Sequence, residues 1–276
     1  MKNKKLLVVL IILLSLLIII IGVFAYIKIL IPYCNAVKDY NDVSKIILER
    51  NNELDNKIKK IHDLIDSNEK VIDESIISTA KEITQKAEAN KYILEKMPKL
   101  TKEIIKKTEE LNALPDYTEI YKELDDTYVA YETSINQYKQ LTNPTEEFVI
   151  QRIQTIDEIS DVRAVTEDND PNGKLNKPGG YTSTVYMESK NVNQNNVYGS
   201  DLISKGTDAG GAIEVYANED DAKKRETYLA GFDGGILASG SHRVVGTVLI
   251  RTSDNLTATQ QKNLEEKIIA SLIELK

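Results

Sequence analysis

The chain has 276 residues and is short of the two side chains that most often bind transition metals, with one cysteine and two histidines. Cys34, the single cysteine, cannot form an internal disulfide, so the fold must form without covalent cross-links. Neither an HExxH nor a CxxC pattern occurs, which argues against catalytic zinc. We therefore predict no catalytic residue, no cofactor and no metal ligand.

Glycine is nearly absent from the first part of the chain. Of the 13 glycines, only Gly22 precedes residue 173, so residues 34–147 contain none. A stretch without glycine favours helix, and it is interrupted only by residues that cannot continue a helix interior, at Pro98, Pro115 and Pro144.

Acidic residues outnumber basic ones, 43 to 35, so the net charge is −8. Residues 1–33 carry +4, whereas residues 34–147 carry −7 and residues 148–276 carry −5. Both acidic segments argue against nucleic acid as a partner and against docking on an anionic lipid surface.

The N-terminus contains a long apolar run, LLVVLIILLSLLIIIIGVFAYI, over Leu6–Ile27. About 20 such residues in a helix cross the roughly 30 Å hydrocarbon layer of a bilayer, so we predict that residues 6–27 contact membrane lipid. Three lysines precede the run and only Lys28 closely follows it, which predicts a cytoplasmic N-terminus and an extracytoplasmic position for the rest of the chain.

A cleaved signal peptide is the alternative to this anchor. Val23-Phe24-Ala25 has the small residues that precede a cleavage site, so cleavage after Ala25 stays open. The length of the run favours an uncleaved anchor in the cell membrane. A lipoprotein cysteine needs a small residue before it, whereas Cys34 follows Tyr33, and we interpret Cys34 as a bystander near the membrane surface.

Residues 34–147 are predicted to form a helical stalk or an antiparallel bundle. Apolar residues recur at steps of three and four from Leu54 to Ala87, interrupted by Asn68 and Thr79. We expect a helix over 36–97 and shorter helices over 99–114 and 116–142 that pack antiparallel to it. Pairing of the coil between chains is the alternative, and the oligomeric state stays open.

A stripe of tyrosines marks one face of the last of these helices. The apolar and aromatic positions alternate strictly by four and three, at Tyr117, Tyr121, Leu124, Tyr128, Tyr131, Ile135 and Tyr138. Because each buried hydroxyl needs a partner, we interpret the stripe as core packing in a partly hydrated intramolecular bundle.

Residues 148–276 are predicted to form a C-terminal α/β two-layer domain, which makes the chain α+β overall. We expect a helix over 146–159, strands over 180–187, 212–216 and 244–251, and two helices with N-terminal caps at Asn218 and Thr257. The last helix places on one face, toward the sheet, the residues Leu264, Ile268, Leu272 and Leu275.

The stretch DNDPNG, residues 168–173, matches the first half of a calcium loop of the EF-hand type. The twelfth position of such a loop carries a bidentate glutamate, but here it is Gly179. The alternative is a turn in which Pro171 fixes φ, Gly173 supplies a positive φ and Asp170 caps the turn. We favour the turn, with calcium left as an open question.

Three further patterns carry weaker chemical signals. The pairs Gly210-Gly211 and Gly234-Gly235 match no phosphate-binding loop and are interpreted as tight turns next to strands. In the segment 239–242, SGSH, adjacent residues of an extended chain point to opposite faces, so Ser241 and His242 are poorly placed to act on each other. The basic cluster Lys223-Lys224-Arg225 is interpreted as a solvated surface.

Three blocks of the C-terminal half resemble a known domain. They are DPNGKLNKPGGYTSTVYMES, GTDAGGAIEVYANEDDAKKRETYLAGF and SGSHRVVGTVLIRTSDNLTATQQKNLEEKI. Together they look like a C-terminal domain of uncharacterised membrane-anchored envelope proteins of Gram-positive bacteria, sometimes labelled Ebh-type. The resemblance covers about the last 125 residues and implies an envelope protein with a variable N-terminal half, without an activity or catalytic residues.

These observations predict a single-pass, non-enzymatic, extracytoplasmic protein that presents a C-terminal module on a helical stalk. The expected partner is a protein or a component of the cell wall. The alternative is an envelope hydrolase whose site lies in the C-terminal domain and combines Ser241, His242 and the region of Asp168.

Overall fold

The computed structural model describes residues 2–114, 116–235 and 240–275, so Pro115 and Ser239 lie outside the described residues. The chain begins with helix α1, Lys2–Ala25, which continues through one π-helical turn, Tyr26–Leu30, into helix α2, Ile31–Asp66. Large apolar side chains between Leu6 and Phe24 are 49% to 69% exposed. The N-terminal helix is therefore long and apolar enough to span a membrane, as predicted.

The chain divides into two compact units. We call residues Met1–Asp66 and Ser78–Tyr128 the helical unit, and residues Ser67–Ile77 and Val129–Lys276 the C-terminal unit. Helices α3, Ser75–Asn90, and α5, Thr118–Gln140, contribute residues to both units.

The expected helix over 36–97 is wrong, because two helices and an extended segment occupy that range. Helix α2 ends at Asp66, and Asn68 just beyond it adopts a left-handed conformation with φ of 52°, which a continuous helix does not allow. Thr79, the other polar residue that interrupts the apolar spacing, lies inside α3.

In the helical unit, helix α4, Thr101–Asn112, packs against the first half of α2. Their cluster of buried side chains consists of Ala36, Tyr40, Ile47, Ile104 and Leu111. The sequence-based helices over 99–114 and 116–142 therefore correspond to α4 and α5, each with slightly shorter bounds.

The direction of α5 differs from the expected antiparallel packing. The Tyr121 hydroxyl donates to the carbonyl oxygen of Arg50 over 2.6 Å, and Lys57 pairs with Asp125 over 2.7 Å. Residue numbers on α5 therefore rise with those on α2, so the two helices run in the same direction. Helix α3 and the segment after it provide the intervening return, because Lys91 at its end pairs with Asp55 of α2.

The C-terminal unit contains a five-stranded antiparallel sheet. Its strands are β1, Ile159–Ala164, β2, Tyr181–Ser189, β3, Gly210–Tyr216, β4, His242–Val245, and β5, Val248–Thr252, in the spatial order β1-β2-β3-β5-β4. Its helices are α6, Glu146–Ile153, α7, Leu202–Lys205, α8, Glu219–Ala230, and α9, Ala258–Ile273. Short 3₁₀ turns lie at Gln194–Asn196 and Gly206–Ala209.

Two predicted elements of this unit are corrected by the structure. The helix expected over 146–159 ends at Ile153, and Ile159 begins strand β1 instead. The single strand expected over 244–251 is a hairpin of β4 and β5, in which Val245 pairs with Val248 around a two-residue turn. Gly246 in that turn has φ of 61°, a conformation that a strand excludes and that glycine permits.

Helices lie on both faces of the sheet, whereas the sequence predicted two layers. One face buries Val185, Ile213 and Ile250 with α6 and α9. Alternate residues of the same strands face the other way, where Tyr216 and Leu249 pack against α8. The three predicted positions of α9 that are buried on the sheet are Leu264, Ile268 and Leu272, while Leu275 is 41% exposed.

Both predicted helix caps are present. The Asn218 side chain accepts a hydrogen bond from the amide of Asp221 at the start of α8, and Thr257 forms a reciprocal capping box with Gln260 at the start of α9. The Asn218 cap fixes where α8 begins after β3, and the Thr257 cap fixes where α9 begins after β5.

Candidate functional site

A cleft of about 430 Å³ opens beside α8 in the C-terminal unit. Tyr181 at the start of β2 and Tyr216 at the end of β3 line it, because antiparallel pairing places these two residues opposite each other. Their rings meet edge to face with centroids 6.3 Å apart. The other lining residues are Asn172, Lys174, Gly179, Gly180, Asp221, Lys224, Arg225 and Tyr228. We call this the β2–α8 cleft.

A buried carboxylate lies directly behind the cleft. Glu214 of β3 has no exposed surface, and it accepts hydrogen bonds from Arg251 over 2.9 Å, from Arg225 over 3.2 Å and from the Tyr216 hydroxyl over 2.7 Å. Each oxygen of this carboxylate therefore has a donor, as a buried charge requires. One carboxylate therefore binds two guanidinium groups, Arg225 and Arg251.

One of these two guanidinium groups, that of Arg225, reaches the cleft. Arg251 is buried with 7% exposure, whereas the Arg225 side chain is 21% exposed and lines the cleft. The Nε of Arg225 donates to Glu214, and its guanidinium carbon lies 5.4 Å from the centre of the Tyr228 ring. Within the described ranges, the two terminal nitrogens of Arg225 make no hydrogen bond.

Two lysines flank this guanidinium. Lys174 lines the cleft, and among the described residues its ammonium group has no hydrogen-bond or ion-pair partner. Lys224 lies 2.9 Å from Asp221, the only acidic lining residue among those described. The lining is therefore cationic overall, although the chain as a whole is acidic.

The phenols of Tyr181 and Tyr216 stay neutral at physiological pH, because the pKa of each is raised. Burial, then the hydrogen bond to Asp170, raise the pKa of Tyr181, while burial and the nearby Glu214 charge raise the pKa of Tyr216. Both hydroxyls are therefore hydrogen-bond donors, Tyr181 to Asp170 and Tyr216 to Glu214.

The stretch DNDPNG forms the turn next to this cleft. One oxygen of Asp170 accepts from the amide of Asn172 over 3.0 Å and from the Tyr181 hydroxyl, and the other accepts from the amides of Lys174 and Leu175 over 2.6 Å and 2.8 Å. Burial opposes ionisation of Asp170, but the hydrogen bonds from Tyr181 and the three amides outweigh it and lower its pKa.

This geometry agrees with the predicted turn, with Asp170 as its cap and Gly173 at φ of 59°. Four donors occupy the two oxygens that a calcium ion would need. Across the described parts of the chain, no group of three or more histidine, cysteine, aspartate or glutamate side chains is arranged to hold a metal ion.

Ser241 and His242 point to different partners. The Ser241 hydroxyl lies 2.7 Å from that of Thr252 and 3.2 Å from Glu265 of α9. The Nε2 of His242 lies 3.2 Å from Asp233, in the turn after α8. The structure therefore does not bring the two together as a nucleophile and its base.

The other sequence patterns have ordinary structural positions. Gly210 and Gly211 belong to β3 and not to the predicted tight turn. A Cβ at either position would lie 2.4 Å from the backbone of a neighbouring strand, so both positions favour glycine. Gly234 has φ of 73° in the predicted turn after α8. His62 is an exposed residue of α2, and the exposed Cys34 is near the start of that helix.

Sequence analysis missed the role of Arg225. Lys223 and Lys224 have side chains that are 59% and 76% exposed, as a solvated surface predicts, but Arg225 pairs with Glu214. A signal was present in the apolar strand AIEVY, residues 212–216, since a carboxylate inside such a strand requires a cationic partner.

A second cavity, of about 310 Å³, lies in the helical unit. Beside it, the Tyr117 hydroxyl donates to the side-chain oxygen of Asn51 over 2.9 Å and accepts from the amide of Tyr92 over 2.8 Å. Asn51 closes the ring by donating to the carbonyl oxygen of Tyr92 over 2.8 Å. The Tyr117 hydroxyl thus has the partners that a buried hydroxyl requires.

Comparison of the chain with protein-family models, curated proteins and solved structures found no match.

Proposed function

We propose that this protein is a non-enzymatic, single-pass membrane protein whose C-terminal unit binds a partner outside the cytoplasm, either a protein or a component of the cell wall. The proposal places the N-terminus in the cytoplasm and the chain after about residue 30 outside. The sequence resemblance to membrane-anchored envelope proteins of Gram-positive bacteria points in the same direction.

The exposed apolar surface of α1 carries the proposal. A helix whose leucine, isoleucine and valine side chains are about half exposed in water would expose far more contiguous apolar surface than a soluble monomer tolerates. Insertion into a bilayer removes that surface from water, because residues 6–27 match the thickness of the hydrocarbon layer. The three lysines before the run favour the proposed orientation.

Binding and not catalysis is proposed for the C-terminal unit. The β2–α8 cleft presents fixed donors and charges, and no nucleophile paired with a base lines it within the described residues. The hydrolase alternative would require Ser241 and His242 to act together, and their side chains engage Glu265 and Asp233 instead.

Protease treatment of intact cells tests the proposal. The full chain with a C-terminal tag is expressed in a Gram-positive host, and trypsin is added to whole cells after the wall has been opened in an osmotic buffer. We expect loss of the tag, because lysine and arginine are frequent after residue 33. A cytoplasmic marker protein must remain intact, which shows that the membrane stayed sealed.

A protected C-terminal tag would contradict the proposal. In that case the tag survives while a known exterior protein is digested in the same cells. Detergent lysis before trypsin provides the remaining control, since the tag must then be removed whatever the orientation of the chain.

A further inference from the structure

We infer that the β2–α8 cleft is a binding site for an oxyanion, a carboxylate or phosphate group carried on a polar body about the size of a sugar ring. This inference rests on the proposed function of the C-terminal unit as a binding module, and it names the chemistry of the ligand.

The position of Arg225 is fixed before any ligand arrives. Its Nε donates a hydrogen bond to Glu214 over 3.2 Å, and its guanidinium carbon lies 5.4 Å from the centre of the Tyr228 ring. The side chain therefore loses little conformational freedom when its terminal nitrogens gain a partner. A guanidinium presents two parallel N–H donors that match the two oxygens of a carboxylate or phosphate. In Arg225 this pair of donors has no partner within the described ranges.

The charged side chains of the lining favour an anion. Three basic residues, Lys174, Lys224 and Arg225, line the cleft, against one acidic residue, Asp221, among the described lining residues. A bound oxyanion would lie close to a guanidinium that is largely shielded from solvent, where electrostatic attraction is stronger than in open water.

Lys174, in the loop before β2, provides a second cationic side chain in the lining of the cleft. Its backbone amide is held by Asp170 over 2.6 Å, which fixes the base of the side chain while the ammonium group has no partner among the described residues. Lys224 is compensated by Asp221 at 2.9 Å, so we assign it a smaller part.

The volume of the cleft indicates the size of the rest of the ligand. A volume of about 430 Å³ falls within the usual range for small-molecule sites and exceeds what a bare oxyanion fills. The exposed ring of Tyr228, with 59% of its surface accessible, provides a flat apolar face next to the guanidinium. A polar ring that carries one acidic group would satisfy both.

Calorimetry with the purified full-length chain in detergent micelles tests the inference. The probes are glucuronate, glucose 6-phosphate and uncharged glucose, titrated at low ionic strength. We expect the first two to bind at least about tenfold more tightly than glucose, because only they offer an oxyanion to Arg225. The stronger of the two charged probes identifies a carboxylate or a phosphate as the preferred group.

Three variants locate the site. Arg225→Gln and Lys174→Gln each remove one positive charge from the cleft, and we expect about tenfold and about threefold weaker binding of the charged probes. Lys262→Gln is the matched control, because this lysine of α9 lies outside the cleft with 76% of its side chain exposed. Its binding should equal that of the wild-type chain.

Two results would overturn the inference. One is equal affinity for glucose and the two charged probes, including no binding of any of them at about 10 mM, a concentration that detects even the weak sites expected near 1 mM. The other is the same affinity in Lys174→Gln as in Lys262→Gln, which decides the matter even where Arg225→Gln fails to fold. Because this experiment uses purified protein, its failure is distinct from that of the protease test on cells.

Discussion

At the scale of single residues, the carboxylate of Asp170 accepts four hydrogen bonds and couples the DNDPNG turn to Tyr181. Its pKa is lowered in the folded protein, although burial alone would raise it. A carboxyl group of this kind stabilises the fold above its unfolded pKa, about 3.9, and that stabilisation is lost as the pH falls through the folded value.

We therefore expect Asp170→Asn to lower the melting temperature at pH 7 and to have a smaller effect near pH 2, well below the unfolded pKa, where less of the stabilisation from the charge remains. Asp168→Asn is the matched control in the same turn, since the Asp168 carboxylate makes no hydrogen bond among the described residues. Thermal unfolding followed by circular dichroism at both pH values measures the difference. An equal loss at pH 7 and pH 2 would show that the charge of Asp170 has no role.

Glu214 gives a second prediction at this scale. Replacing it by glutamine leaves Arg225 and Arg251 without their shared counter-ion, and removal of one partner from a buried charge group costs about 3–5 kcal/mol. We expect a loss of this size in urea unfolding. Glu266→Gln, on a side chain that is 58% exposed and 3.9 Å from Lys262, should cost less than about 1 kcal/mol.

The comparison of these two glutamates is decisive because both substitutions remove one carboxylate from the same unit. A similar, small effect in both would contradict the view that Glu214 holds Arg225 and Arg251 together in one buried cluster of charges. The chain contains no tryptophan, so the backbone signal in circular dichroism is the appropriate readout.

At the scale of elements, the sequence located helices by periodicity and failed where a single residue changes the backbone. Ile150, Ile153, Ile156 and Ile159 fit a helical spacing, yet the helix ends at Ile153 and Ile159 lies in β1. Spacing records which side chains face the core, and a turn between 154 and 158 keeps these side chains in the same apolar cluster. Asn68 interrupts the long helix because its backbone is left-handed. The spacing of apolar residues carries no information about that backbone conformation.

The helix caps were predictable for the opposite reason. The Asn218 and Thr257 caps depend on residues three positions apart, so a local pattern contains the whole interaction. The β2–α8 cleft depends on residues 170, 214 and 225, which come together only through strand pairing. The strand sequence 212–216 carried a hint in its single carboxylate, but it did not identify the two arginines that pair with it.

The turn between β4 and β5 gives a prediction at this scale. Gly246 has φ of 61°, and a Cβ there would lie 2.7 Å from the carbonyl oxygen of Leu141. Gly246→Ala therefore combines backbone strain with a clash against backbone, and we expect it to cost about 2–4 kcal/mol. Gly173→Ala adds a Cβ at nearly the same φ, 59°, with no atom within 4 Å, and should cost about 1 kcal/mol.

The difference between the unfolding free energies of these two glycine variants measures the effect of the clash alone, because both place alanine at nearly the same positive φ and cause the same backbone strain. Urea unfolding of the full chain in micelles provides the two values. If Gly173→Ala is as destabilising as Gly246→Ala, the close approach of the β4–β5 turn to Leu141 contributes nothing, and the hairpin depends on φ alone.

At the scale of the whole molecule, the distribution of charge and apolar surface separates the chain into a segment suited to lipid and a remainder suited to water. Residues 1–33 carry +4 and contain the apolar run, whereas the rest is acidic. This division was readable from the sequence because membrane insertion depends on composition over about 20 residues and not on tertiary contacts.

Membrane attachment can be tested by placing charge at the centre of this span. Leu14 and Ile18 lie about halfway along Leu6–Ile27, and lysine at both positions should cost about 5–7 kcal/mol of insertion free energy. We expect the wild-type chain to remain in the membrane pellet after alkaline carbonate extraction and the double lysine variant to appear in the supernatant.

Alanine at the same two positions is the control for lost side-chain volume, and this variant should remain in the pellet. Each chain in this experiment carries one tag at its N-terminus and another at its C-terminus. Both tags are followed, because cleavage after Ala25 would separate them and release the wild-type chain as well. Extraction of both wild-type tags together would show that residues 6–27 do not anchor the protein.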